Sequence, residues 1–234
     1  MPLLTIKHVS KTYKLDRVEV NALADINFDV SSRRFTVLSG ASGSGKTTLL
    51  NLLGGLDQPD RGEIIFGGYR LGALSDDRLS DFRLRYIGFI FQNFNLLPVL
   101  NAFENVEYPL VLTRVSRPVR RRRVQELLEA VGLSGHAKHL PGQLSGGQRQ
   151  RVAIARALAT SPKLVLADEP TANLDSQTGD SIIALMRSMQ QEYRASFVFS
   201  SHDPRVLAQA DDAVYLRDGR VVEVTHRTPA GPPR

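Results

Sequence analysis

Hydrophobic positions along this chain follow two periods. Residues 3–15 (LLTIKHVSKTYKL) and 18–30 (VEVNALADINFDV) alternate imperfectly between apolar and polar and hold few helix formers, which predicts sheet. The run 35–39 (FTVLS) is short and continuous, the pattern of a strand buried on both faces. Thr47 to Leu53 is predicted helical and ends at a glycine pair, 54–55. Residues 61–71 (RGEIIFGGYRL) predict a hairpin, and 86–92 (YIGFIFQ) a strand. From about residue 93 to 160 the pattern turns mostly helical, punctuated by Pro98, Pro118 and Pro141. Strand 163–168 (KLVLAD), helix 176–193, strand 195–201, helix 204–210 and a hairpin over 213–224 complete the series. Strands alternating with helices predict a parallel α/β sheet. The Pro- and Gly-rich stretch 225–234 is predicted disordered, and no internal repeat is present.

Length and composition narrow the field. At 234 residues the chain suits one domain, or one domain with an embedded subdomain, and can bury a sizeable core. Its hydrophobic fraction of 42% and charged fraction of 23% are those of an ordinary soluble protein. A formal charge of +6 permits an anionic partner, whether nucleotide, nucleic acid or anionic lipid, without choosing among them. Cysteine is absent, which excludes disulfides and thiolate metal sites and fits a reducing compartment. The first residues, MPLLTIKHVSKTYK, lack the features of a signal peptide. No segment reaches the roughly 18 to 20 apolar residues of a membrane span. A soluble protein is expected, with any membrane role supplied by a partner.

The loosest loop of the chain lies between a predicted buried strand and a predicted helix. Gly40-x4-Gly45-Lys46-Thr47 matches the P-loop (Walker A) pattern GxxxxGK[ST]. Glycines without Cβ let successive backbone N–H groups curl toward a phosphate. The helix that follows aims its unpaired N–H groups and positive dipole end at the same point. Lys46 can reach the β- and γ-phosphates, and the Thr47 hydroxyl can ligate Mg2+. Gly40, Ala41, Ser42, Gly43, Ser44, Gly45, Lys46, Thr47 and Thr48 form the candidate triphosphate site. A plain flexible turn is the competing reading, and it does not explain why strand, loop, lysine, hydroxyl and helix come in this order.

Strand 163–168 ends in adjacent carboxylates, Asp168 and Glu169. Alone such a pair is a solvated strand end; downstream of a P-loop it suits Mg2+ binding. Neighbouring strand residues face opposite sides, so the two acids are expected to divide the work. Asp168 is assigned to Mg2+, directly or through water, and Glu169 to polarising the attacking water as general base. Pro170 forces the chain out of the strand. His202 and Gln92 each end a predicted strand. The carboxyl ends of parallel strands are where open α/β sheets bind ligands. The bland readings are a capping histidine and an ordinary polar strand end.

Residues 144–158 (LSGGQRQRVAIARAL) repeat the anion-binding device without its lysine: Ser145 as N-cap, Gly146 and Gly147, then Gln148 and a strongly periodic helix. One nucleotide needs one triphosphate cradle, yet the chain offers two such helix starts. LSGGQ between a P-loop and ADEPTANLD resembles the ATP-binding-cassette (ABC) ATPases, the nucleotide-binding subunits of ABC transporters, over roughly residues 3 to 222. The resemblance implies a RecA-like P-loop NTPase core of α/β class, an N-terminal antiparallel β subdomain and an inserted helical subdomain, about 93–160. It implies ATP and Mg2+ as cofactors and a homodimer formed head to tail. Ser145, Gly147 and Gln148 of one chain would then close over the γ-phosphate held by the other, with Asp175 at that interface. It further implies that Tyr13 stacks on adenine, that Gln92 ligates and senses Mg2+ and responds to the transporter, and that His202 contacts the γ-phosphate. Departures are few: Gly-Ala-Ser opens the loop where Gly-Pro-Ser is commoner, and 30–35 (VSSRRF) lacks the usual Gly-Glu, leaving open how Arg33 and Arg34 are satisfied. No catalytic position is degenerate, so an active ATPase is expected.

The segment 91–110 (FQNFNLLPVLNAFENVEYPL) is similar to the branch serving lipoprotein release, macrolide and antimicrobial-peptide export and bacterial cell division. That implies a permease on a separate chain, a peripheral place on the cytoplasmic face of the inner membrane, and work in export or in lipoprotein, peptide or macrolide extraction. Glu104 and Asn105 fall where such proteins meet the permease; a solvated Glu and an Asn helix cap are the plainer reading. The run 117–125 (RPVRRRRVQ) has no interleaved aromatics for stacking on bases, so no nucleic acid is expected. It reads as a solvated helix start, or as arginines near anionic headgroups at about 1 kcal/mol per charge. His8, His136, His139 and His226 show no metal-ligand spacing and read as structural or surface groups. Two alternatives stand beside the transporter ATPase. One is a nucleotide-gated regulator like the cell-division member. The other is a DNA-maintenance or ribosome-associated ABC ATPase, which the single cassette and the mere 98 residues between Lys46 and Ser145 disfavour.

Overall fold

The computed structural model describes residues 2–15 and 18–227. In chain order the elements begin with β1 (Pro2–Leu15), β2 (Val18–Ser31), β3 (Phe35–Ser39), α1 (Lys46–Leu53), β4 (Arg61–Phe66) and β5 (Tyr69–Arg70). Next come α2 (Asp76–Tyr86), β6 (Ile87–Ile90), α3 (Ala102–Leu112), α4 (Arg117–Ala130), α5 (Gly146–Leu158) and β7 (Leu164–Asp168). The last are α6 (Ser176–Tyr193), β8 (Ser196–Ser200), α7 (Pro204–Ala208), β9 (Asp212–Arg217) and β10 (Arg220–His226). Two compact units result: Met1–Leu79 with Val198–Arg234, and Ser80–Phe197. Among the described residues no helix is long and apolar enough to cross a membrane.

In the first unit β1 pairs antiparallel with both β2 and β4, giving a sheet of order β2-β1-β4-β5. Leu4, Ile6 and Val9 point into its core. The step from Ile6 to Val9 is three residues because His8 adopts a left-handed conformation (φ 51°) and the register shifts there. On β2, Asp25 (φ 53°) makes the matching step between Leu23 and Ile26. His8 Nδ1 lies 2.8 Å from Asp25 Oδ1, and the His8 N–H donates to Asn27 Oδ1 at 2.8 Å. A β-bulge on each strand therefore produces the imperfect alternation in the sequence. Gly62 (φ 83°) faces the bulge so closely that a Cβ there would lie 2.3 Å from the His8 carbonyl oxygen.

β3 runs parallel to β9, which pairs antiparallel with β10. All five β3 residues are buried, as its unbroken apolar run predicts. The Phe35 ring stacks on Phe199 of β8 at 4.1 Å. Burying each such ring contributes about 1.5–3 kcal/mol. Arg34 forks onto Asp212, Nε to Oδ2 at 2.6 Å and Nη2 to Oδ1 at 2.8 Å, and also donates to the Asp211 and Arg227 carbonyls. That settles how one of the two arginines before β3 is satisfied. It also anchors the chain end: β10 continues to His226, and the Arg227 N–H donates to Asp211 O at 2.7 Å. Residues 225–227 are therefore ordered, contrary to the expectation for that stretch, because Arg34 and Asp211 supply partners far away in sequence. The remainder, 228–234, lies outside the described residues.

In the second unit β6 runs parallel to β7. Gly88 of β6 lets α5 approach so closely that a Cβ would stand 2.2 Å from the Ala157 carbonyl oxygen. α2 escapes the apolar-pattern reading because most of its residues are charged; its start is marked by Asp76 and Asp77 and its end by Arg83 and Arg85, each matching the helix dipole. α3 opens with a capping box between Asn101 and Glu104. Asn105 is neither that cap nor a surface group. It is fully buried and clamps the preceding loop, accepting from Leu97 N–H at 2.8 Å and donating to the carbonyls of Leu97, Leu100 and Asn101. Direct permease contact by its side chain is thereby excluded. The arginine run of α4 divides by helical phase. Arg120 binds Glu107 at 2.9 Å, and Arg123 reaches the Leu158 carbonyl at 3.0 Å with its guanidinium over the Tyr193 ring. Arg122 instead stays at the surface, paired with Glu126 one turn on.

Candidate active site

The first unit carries the glycine loop between β3 and α1. Its glycines are placed by contact as well as conformation. Gly45 (φ 99°) is the residue before α1, where a Cβ would fall 2.6 Å from Ala22 O; at Gly40 it would fall 2.4 Å from Leu216 O. Because Gly45 has no side chain, the first N–H groups of α1 receive no side-chain cap. Lys46 is buried to 7% exposure, and its Nζ donates to the Gly40 and Ala41 carbonyls at 2.8 and 2.9 Å. The ammonium thus spans the loop it belongs to and holds it in a ring. Thr47 lies exposed in the first turn beside it.

Tyr13 of β1 is held from the far end of α1. Its Oη donates to Asp57 Oδ2 at 2.7 Å, while Lys11 Nζ donates to Asp57 Oδ1 at 2.8 Å and to Gln58 O at 2.7 Å. Burial pushes the Asp57 carboxyl up, but the bonds from Lys11 and Tyr13 outweigh it and hold the group below the usual carboxylate range. Burial, then the Asp57 bond, pushes the Tyr13 phenol above its usual value. The ammonium of Lys11 sits 5.2 Å over the Tyr13 ring. Asp57 and Lys11 escape a motif search because each, read singly, is an ordinary surface charge.

His202 follows β8, is exposed, and does not cap the next helix; Asp203 does, accepting from Arg205 N–H at 2.8 Å. The residue before it, Ser201, donates its N–H to Leu38 O at 3.1 Å. His202 therefore stands at the end of β3 from which the glycine loop springs.

In the second unit β7 ends at Asp168, and Glu169 turns into a left-handed conformation (φ 43°). Glu169 has therefore already left the strand, and this turn, not strand alternation, sets how the chain continues past Asp168. A left-handed non-glycine residue costs roughly 1–2 kcal/mol, a strain found most often at functional positions. α5 braces the turn. Gln150, fully buried, donates from Nε2 to the Pro170 carbonyl at 2.7 Å. Its sequence signal is a polar residue on the apolar stripe with Ile154 and Leu158. The segment after β6 is braced similarly. Arg156 donates to the carbonyls of Phe94 and Asn95 at 2.8 and 2.6 Å, and Asn173 donates to the Gln92 carbonyl and Asn93 Oδ1, each at 3.1 Å. Burial lowers the Arg156 guanidinium from its usual value.

Ser145 caps α5 in a full capping box: its Oγ accepts from Gln148 N–H at 3.2 Å, and its own N–H donates to Gln148 Oε1 at 2.9 Å. Gly147 lies against α6, where a Cβ would meet Thr178 Cγ2 at 2.6 Å. Asp175 caps α6, accepting from Thr178 N–H at 2.9 Å, and bonds to Thr178 hold its carboxyl below the usual range. Among the described residues no cluster of three or more His, Cys, Asp or Glu is arranged for a metal ion.

Known proteins resemble this chain over most of its length. The ABC transporter family model matches residues 23–172. The chain is 42% identical over 220 residues to the lipoprotein-releasing system ATP-binding protein LolD of Bordetella pertussis, covering 94% of this chain and 95% of that protein. It is 43% identical over 232 residues to the macrolide export ATP-binding/permease protein MacB 2 of Aeromonas hydrophila, covering 99% of this chain but 36% of that longer protein. Among solved structures, the dimeric post-hydrolysis state of the ATP-binding cassette MJ0796, bound to ADP and Pi, superposes with a TM-score of 0.88 at 42% identity. That match covers 97% of this chain and 100% of the other; MJ0796 comes from Methanocaldococcus jannaschii. The chain belongs to the ABC transporter family, as one of its ATP-binding, ATP-hydrolysing chains in the lipoprotein-release and macrolide-export branch. Its fold is the P-loop NTPase core with an N-terminal antiparallel β subdomain and an inserted helical subdomain.

Proposed function

We propose that two copies of this chain close head to tail on two ATP molecules and reopen after hydrolysis, driving a permease carried on a separate chain at the cytoplasmic face of the inner membrane. The cargo class follows the relatives: extraction or export of lipoproteins, peptides or macrolide-like compounds. The observation that carries this reading is a pair of helix starts, at Lys46 and Ser145, built for anions in complementary ways. The first has a lysine and no side-chain cap; the second has a capping serine and no lysine.

Roles are assigned group by group. Lys46, drawn off the Gly40 and Ala41 carbonyls, donates to the β- and γ-phosphates, while the loop N–H groups and the positive end of α1 take the remaining charge. Thr47, Asp168 and the Gln92 side chain offer hydroxyl, carboxylate and amide oxygens, a donor set that suits Mg2+. Mg2+ in such sites takes phosphate and water oxygens as well, so a three-acid cluster is not required. When bound, it neutralises charge on the phosphates. Glu169 orients a water and accepts its proton, His202 donates to the γ-phosphate, and Tyr13 stacks on adenine. Ser145 and the first N–H groups of α5 engage the partner's γ-phosphate, with Asp175 beside that contact.

The test is Glu169→Gln. Removing a general base lowers the rate by about 10²–10⁴-fold. The variant should bind ATP, turn over at no more than a hundredth of the wild-type phosphate release, and run as a dimer in size-exclusion chromatography with ATP. Turnover near that of the wild type would remove Glu169 from its role. A species that stays monomeric at saturating ATP, alone and with the permease, would overturn the two-copy mechanism.

A further inference from the structure

The loop between α4 and α5 holds a residue that the sequence leaves as a structural or surface group, His136. His136 Nε2 lies 3.1 Å from Gln148 Nε2. The direction of this bond is fixed by its neighbour. Gln148 Oε1 already accepts from the Ser145 N–H at 2.9 Å, so the amide presents its NH2 side to the imidazole. His136 Nε2 must then accept, which requires the neutral ring with its proton on Nδ1. A ring that only donates would push the amide to turn over. Its NH2 would then face the Ser145 N–H, donor against donor, and half of the capping box would be lost.

The backbone that carries the ring is held on both sides. The His136 N–H donates to Leu133 O at 2.9 Å, and His136 O accepts from His139 N–H at 3.0 Å. The same loop caps α3: Ala137 O and His139 O accept from the Phe103 and Ala102 N–H groups, both at 2.9 Å. The Gln148 amide is thus fixed by an acceptor that belongs to a platform shared with the start of α3.

We infer that His136 is a positioning residue for the signature helix: by accepting from Gln148 it locks the amide that caps Ser145, and so keeps the Ser145 hydroxyl and the first N–H groups of α5 aimed at the partner's nucleotide. This deepens the two-copy reading above and rests on it. His136 touches no substrate; it acts through Gln148.

The experiment compares His136→Leu, which has no acceptor, and His136→Gln, which retains one, in the wild-type and the Glu169→Gln chain. Losing a hydrogen bond of this kind is worth about fivefold in an equilibrium. In the Glu169→Gln chain, His136→Leu should raise the ATP concentration for half-maximal dimerisation about fivefold in sedimentation velocity. It should leave binding of a fluorescent ATP analogue to the monomer unchanged, and lower the thermal midpoint by no more than the roughly 2–4 °C that one hydrogen bond is worth. In the wild-type chain kcat should fall with little change in KM, and His136→Gln should restore most of both losses. Weakened binding of the ATP analogue to the monomer, or a thermal midpoint lowered by more than about 4 °C, would assign His136 a merely structural role and overturn the inference. So would equal loss in both variants. If Glu169→Gln itself never pairs, the two-copy reading falls and takes this inference with it. If it pairs and His136→Leu pairs equally well, only the inference falls.

Discussion

Replacing Arg34 by methionine removes three kinds of contact at once while keeping most of the side chain's bulk. The guanidinium fork on Asp212 is lost, with bonds of 2.6 and 2.8 Å, and so are the bonds to the Asp211 and Arg227 carbonyls at 2.8 and 2.9 Å. Asp212 is only 5% exposed and is left with a buried charge. Breaking a buried ion pair from one side typically costs about 3–5 kcal/mol. Two features reduce that here. Arg34 is itself 20% exposed, and His226 Nδ1 remains 2.7 Å from Asp212 Oδ1. An expected loss of about 2–3 kcal/mol follows. For a chain of this size it lowers the thermal midpoint by roughly 5–10 °C. Calorimetry or thermal denaturation followed by circular dichroism measures it. The double variant Arg34→Met with Asp212→Leu should recover much of the loss, because no charge is then stranded. A shift below about 1 °C for Arg34→Met would refute the premise that this fork fastens β10 to the start of β3.

Asp57→Asn should loosen Tyr13, raising the KM for ATP severalfold in a steady-state ATPase assay with little effect on kcat. The wild-type carboxyl is held below its usual value in the folded chain, so its contribution is present above the unfolded carboxylate range, about 4, and fades as pH falls through the lower folded value. The stability gap between wild type and Asp57→Asn, from urea titrations, should therefore close below about pH 4; a gap that widened there would contradict the Lys11–Asp57–Tyr13 arrangement. Gly88→Ala places a methyl 2.2 Å from the Ala157 carbonyl and must push α5 off β6, an overpacking cost of about 1–3 kcal/mol. A midpoint at the wild-type value would refute that close approach.

What the sequence disclosed, and what it hid, divide by range. The five buried residues of β3, the bounds of α6 and the glycine loop all follow from local periodicity or local steric demand. The irregular pattern of β1 was legible only as irregularity, because its cause is a pair of bulges stabilised across strands by His8, Asp25 and Asn27. α2 has too little apolar stripe to be seen by hydrophobic period, although its dipole-matched ends were present to be read. Asn105, Gln150 and His136 each looked bland because their partners are backbone carbonyls or amides brought near by tertiary packing, and such partners leave no trace in a motif. The adjacent acids at the end of β7 are visible in the sequence, but the left-handed turn at Glu169 is a conformational fact that no residue type announces.

A small amide decides what else in the second unit can move alone. Asn173 stitches the stretch at Gln92 and Asn93 to the strand-exit turn that begins with Glu169. Arg156 grips the same stretch from α5, through the carbonyls of Phe94 and Asn95. Neither end can therefore be displaced alone without breaking bonds that tie the stretch after β6 to the turn after β7.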